Sequence, residues 1–150
     1  MASNPQGYVI PRPLGRLLTL AASAARTSGA NGTAVAAHDV SRLLVLLSIT
    51  ASAHDAGDTL DVYVDVSPDG DTWLNAIHFT QQAGNAAAGK QFAVLDATNP
   101  GATVTAVTSD AAAGAVRPGL FGAYVRARWE VADSGDGNSS HTFSVVAYAQ

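Results

Sequence analysis

Residues 59–67 alternate without a break. Leu60, Val62, Val64 and Val66 fall on one side, and Asp61, Tyr63 and Asp65 on the other. A period of two is the mark of a half-buried β-strand. The same rhythm returns at 120–131, where Phe121, Ala123, Val125, Ala127, Trp129 and Val131 point one way and Tyr124, Arg126, Arg128 and Glu130 the other. At 141–149 it sets Phe143, Val145 and Ala147 on one face, and at 73–81 it groups Trp73, Ile77 and Phe79. Residues 42–51 (RLLVLLSITA) are apolar on both faces, with Leu43, Val45, Leu47 and Ile49 opposite Leu44 and Leu46. A strand of that kind is covered on both sides, within the fold or by a neighbour. Residues 91–96 and 103–108 read as weaker strands, and 17–25 is ambiguous between helix and strand because Leu and Ala favour helix while Ser and Thr do not. About eight strands separated by turn signals predict an all-β fold, a two-sheet antiparallel sandwich or jelly roll.

Composition sharpens this picture. In 150 residues there is no cysteine, which removes thiol catalysis, thiolate zinc sites and disulfides. Eleven acidic residues are Asp and one is Glu; seven basic residues are Arg and one is Lys. That skew takes away the usual surface residues of helices and leaves residues that suit turns and strands. Charged residues make up only 13% of the chain, about half the usual share. A surface this neutral predicts extensive contact with other subunits. The net charge of −4 argues against a nucleic-acid partner. No apolar run approaches the roughly 20 residues that would span a membrane. Residues 16–26 resemble a short signal peptide, but the polar, proline-rich lead before them argues against targeting.

That lead, residues 1–15 (MASNPQGYVIPRPLG), contains Pro5, Pro11 and Pro13, which exclude a helix interior or a central strand. Tyr8, Val9 and Ile10 have nothing local to bury them. The expectation is an extended arm over residues 1–16, held by a partner and followed by a sandwich over 17–150. Fifteen extended residues reach about 50 Å, enough to cross a neighbouring subunit. Candidate contact residues are Tyr8, Ile10, Pro11, Arg12, Pro13 and Arg16 from the arm, with Leu44 and Leu46 from the doubly apolar strand.

Candidate chemistry is sparse. Residues 67–73 (SPDGDTW) form a hairpin connection, with Pro68 setting φ and Asp69-Gly70 tolerating the turn. Asp65, Asp69 and Asp71 have a spacing that can hold calcium, but no bidentate Glu follows and Asp65 belongs to a strand, so the turn reading prevails. His38, His54, His78 and His141 lie in separate segments without the paired spacing of metal ligands. No G-x-S-x-G elbow is present, and Glu130 is the only glutamate. These features predict neither an enzyme nor a cofactor. Arg126 and Arg128 share an outer strand face and would meet Asp61 and Asp65 if their strands paired.

The strings 60–73 (LDVYVDVSPDGDTW), 77–81 (IHFTQ), 125–131 (VRARWEV) and 142–150 (TFSVVAYAQ) together resemble small structural proteins of tailed bacteriophages. The nearest resemblance is to the capsid decoration, or cementing, proteins with a jelly-roll body and an N-terminal arm. It implies a virion protein that forms homotrimers on the outer capsid, binds the major capsid protein and bridges capsomers, with the arm reaching an adjacent subunit. It carries over no site residues, because such proteins act through surface area. A tail or neck protein and a carbohydrate-binding jelly roll using Tyr63, Tyr124 and Tyr148 are the alternative readings.

Overall fold

The computed structural model describes residues 15–53, 55–99, 101 and 104–150. The arm residues Tyr8, Ile10, Pro11, Arg12 and Pro13 lie outside them. Among the described residues there is no helix, and the strands are β1 (Arg16–Arg26), β2 (Ala30–Asn31), β3 (Val35–Ala36), β4 (Arg42–Ala53), β5 (Thr59–Ser67), β6 (Leu74–His78), β7 (Gln82–Ala83), β8 (Gly89–Asp96), β9 (Ala115–Val116), β10 (Tyr124–Ala132) and β11 (Ser140–Ala149). One sheet has the order β1-β11-β4-β8. The other runs β2-β10-β5-β6-β9, with β3 also on β10 and β7 on β5. β2 and β3 act as one interrupted strand along β10. With the two-residue β7 and β9 set aside, the eight that remain pair first with last and second with seventh, which is the jelly-roll order.

The alternating faces explain why the chain folds this way. Leu60, Val62, Val64 and Val66 of β5, Val125 and Ala127 of β10, Leu43, Val45, Leu47 and Ile49 of β4, and Phe143, Val145 and Ala147 of β11 meet in one buried core. The ambiguous segment 17–25 is strand. Its Leu18 and Leu20 enter that core, while the register on β11 slips at Ala21. Arg26 closes the end of this strand. Its guanidinium stacks on Trp129 and Phe143, at 4.5 and 4.3 Å, and donates to the carbonyls of Ala22, Ala24 and Phe143.

Two expectations are corrected. Residues 104–108 form no strand, and Val104 is fully exposed; the segment leads instead to a strap described below. Trp73 does not share a face with Ile77 and Phe79. A bulge between the β5 pairs Val64↔Ile77 and Asp65↔Asn75 leaves Ala76 as the extra residue, which reverses the phase of β6. Leu74 therefore packs on the core, and Trp73 turns outward beneath Arg126, whose guanidinium lies 4.1 Å from its ring.

The 67–73 turn is held by its own side chains. Asp69 Oδ1 accepts the N–H groups of Asp71 (2.9 Å) and Thr72 (2.7 Å), and Ser67 Oγ accepts the Gly70 N–H (2.8 Å). These bonds hold the Asp69 carboxyl well below the usual carboxylate range. Gly70 takes φ +86°, the left-handed value this turn needs.

His141 is fully buried on β11, with Nδ1 3.0 Å from Ser52 Oγ. Burial lowers its pKa from the ordinary 6.5, against an opposing pull from Asp58. The unfolded chain therefore takes up this proton more readily, so stability is full above pH 6.5 and is lost as pH falls through the lowered folded value. The urea midpoint is expected to drop between about pH 7 and pH 5, and to drop less in His141→Gln. An equal drop in both proteins would show that another group is responsible.

Candidate interaction face

The two sheets present opposite outer surfaces. On the β10-β5-β6 sheet, polar groups compensate one another. Arg126 pairs across the strands with Asp65, and Arg128 Nε donates to the same carboxylate at 3.0 Å. Arg128 also reaches Asp110 (2.7 Å) and Glu130 (3.1 Å). Asp65 is only 3% exposed, and its Oδ1 accepts from Asn75 Nδ2 at 3.1 Å. Asp61 does not meet the arginines as expected. It lies opposite Glu130 in the register and accepts instead from Gln81 (2.7 Å) and faces His78 Nε2 (2.8 Å).

Residues 109–117 strap this surface. Asn75 Oδ1 accepts the Ala111 N–H at 2.8 Å, and His78 Nδ1 lies 2.8 Å from the Ala111 carbonyl. Arg117 donates to the carbonyls of Asn75 (2.6 Å) and Ser109 (2.7 Å). Tyr63 is buried between the His78 ring and the Arg128 guanidinium. Burial, with the Asp61, Glu130 and Asp110 carboxylates adding, pushes its phenol up to about 12. These side chains bind one another across the surface.

The outer face of the β1-β11-β4-β8 sheet is the opposite case. The register aligns Leu17, Tyr148, Leu44 and Val94 in one rung across all four strands. The next rung aligns Thr19, Val146, Leu46 and Phe92. Phe92 is 73% exposed, Leu17 67%, Tyr148 43%, Leu44 41% and Val94 40%. The rungs beyond are polar: Arg42 pairs with Asp96 at 3.2 Å on one side, and Ser144, Ser48 and Lys90 align on the other. An apolar patch bounded by a polar rim is the anatomy of a protein contact. Beside Phe92, around the β8 edge, a shallow groove of about 520 Å³ runs along Ile77, Phe79 and Gln91.

Leu44 and Leu46 therefore stand on a shared outer face, as their strand suggested, and pairing across the sheet brings five further large side chains that the sequence did not connect to them. Phe92 and Val94 alternate visibly with Ala93 and Leu95, so the signal was present in a strand too short to weigh. Arg16 opens β1. Its guanidinium engages the Asp39 carboxylate within the same chain, with Nη2 at 2.7 Å from Oδ1, and Nη2 also donates to the Ala36 carbonyl at 3.3 Å. The three tyrosines of the carbohydrate reading are dispersed: Tyr63 is buried, Tyr124 meets His38 edge-on over the same sheet, and Tyr148 belongs to the other sheet. Compared with known proteins, the chain matches no family model, no curated protein and no solved structure.

Proposed function

We propose that this chain is a structural, non-enzymatic protein that clads a bacteriophage capsid from outside and stabilises it by bridging capsomers as a homotrimer. The observation that carries the reading is the two-rung apolar face on β1, β11, β4 and β8. Its opposite surface is saturated by internal ion pairs and a covering strap, so the free contact chemistry lies on one side. The phage assignment itself draws on the sequence resemblance, with which a jelly-roll body agrees.

Area sets how the contact must work. Four strands spaced about 4.8 Å apart and two rungs about 7 Å apart cover on the order of 300 Å². A stable contact takes roughly 800 Å² from each partner. The apolar face supplies under half of that, and the segment 1–15, with Tyr8, Ile10, Pro11, Arg12 and Pro13, is the remaining source in this reading. Burial at about 25 cal/mol per Å² stands against an association cost of several kcal/mol, so attachment needs several contacts at once on a lattice.

The test is light scattering on the purified full chain, followed by co-sedimentation with expanded, empty phage heads. A mass three times 15.2 kDa and saturable binding to heads support the reading. A monomer that ignores heads overturns it, and binding to tail or neck assemblies in place of heads relocates the protein within the virion.

A further inference from the structure

We infer that the chain carries a calcium site at the end of the sandwich where the β4–β5 and β10–β11 connections meet, with Asp55, Asp58 and Asp136 as its carboxylate ligands. One carboxylate oxygen from each residue lies within 4.8 Å of the others. Oxygens bound to one calcium ion at about 2.4 Å can be no farther apart than about 4.8 Å, so the three fit a single coordination sphere. The group mixes residues 78 positions apart, from two different loops.

A cluster of acids is common at a surface, but this one contains a buried member. Asp58 has 0% exposure. Its Oδ1 accepts the Ser134 N–H at 2.8 Å, while its Oδ2 is buried with no hydrogen-bond donor. Asn138 repeats the pattern. Its Nδ2 donates to Asp136, and its Oδ1 is buried without a donor. Among the described residues no ion pair reaches Asp58 or Asp136. Burying a carboxylate oxygen without a donor is costly, and a hard cation held by the cluster removes that cost at Asp58.

The loop around Asp136 is already shaped. Asp133 accepts the N–H groups of Gly135 (2.7 Å), Gly137 (3.0 Å) and Ser139 (3.0 Å), and Gly135 and Gly137 take φ +122° and +74°. On the other loop the Asp58 N–H donates to the Asp55 carbonyl at 3.1 Å. An all-oxygen ligand set on two irregular loops suits calcium, which tolerates flexible geometry, better than magnesium, which demands a tight octahedron. Each loop crosses from one sheet to the other, so the ion ties the two sheets together at this end.

The inference is tested on the full chain, treated with chelator and dialysed, by calorimetric titration with calcium chloride and by thermal unfolding. We expect one calcium per chain and a rise in Tm of about 3–8 °C at saturation. In Asp136→Asn, whose side chain is exposed, the calcium-free Tm should match the parent, with calcium affinity down at least about tenfold and the Tm rise lost. Asp58→Asn should behave likewise where it folds. Absence of both heat and Tm shift up to about 10 mM calcium overturns the site, since even weak extracellular modules bind within that range. An unchanged response in Asp136→Asn, or an equal response to magnesium, overturns it as well.

Discussion

Replacing Asp65 with alanine is expected to destabilise the protein by about 3–5 kcal/mol, the cost of leaving buried charges without their partner. Asp65 is the hub of the β10-β5-β6 surface. It sits opposite Arg126, accepts from Arg128 Nε at 3.0 Å and from Asn75 at 3.1 Å, and is itself buried. Both arginine side chains are only 18% exposed. Without Asp65, Arg128 keeps Asp110 and Glu130, but Arg126 loses its ion pair and already has a buried Nε without an acceptor. Arg126 is therefore where most of the loss should fall. The double variant Asp65→Ala with Arg126→Met should recover a large part of it, because it removes the uncompensated charge. Urea unfolding at neutral pH measures both. A loss below about 1 kcal/mol for Asp65→Ala would mean that these charges are effectively solvated, as exposed ion pairs are.

Phe92→Asp should do the reverse, abolishing association while leaving the fold intact. The ring is 73% exposed and outside the core, so stability should change by no more than about 0.5 kcal/mol. In the cladding reading the same ring is the most exposed anchor of the apolar face. Aromatic anchors at interfaces commonly contribute 2 kcal/mol or more, so head binding should weaken by at least about thirtyfold. Leu44→Asp, in the neighbouring rung, should match it, whereas Asn31→Asp on the other sheet should not. Co-sedimentation with heads reads the affinity, and urea unfolding confirms that each variant is folded. Undiminished binding by Phe92→Asp would remove this face from the contact.

How much of this was legible depended on distance along the chain. Strict alternation made β5, β10 and β11 readable from single stretches, and the doubly apolar run at 42–51 marked Leu44 and Leu46. The phase of β6 was not readable, because nothing in 73–81 announces the bulge at Ala76. That same bulge turns Trp73 out to Arg126. The pairing of Arg126 and Arg128 with Asp65 was visible as a possibility, and the register settled it; Asp61 was diverted to His78 and Gln81 by residues whose proximity no local pattern reveals. The apolar rungs and the Asp55–Asp58–Asp136 cluster depend entirely on antiparallel register and on crossovers between sheets. Leu17 and Tyr148 are 131 positions apart in the sequence and adjacent in the first rung.

The pairing of β1 with β11 has a consequence during synthesis. The sheet that bears the apolar face cannot close until the residues of β11, through Ala149, have left the ribosome. A nascent chain therefore holds β1 without this partner until β11 emerges, and a topology dominated by such distant pairings folds slowly, in milliseconds to seconds. The apolar surface is complete only after β11 has entered between β1 and β4, so products cut short before Ser140 cannot present it.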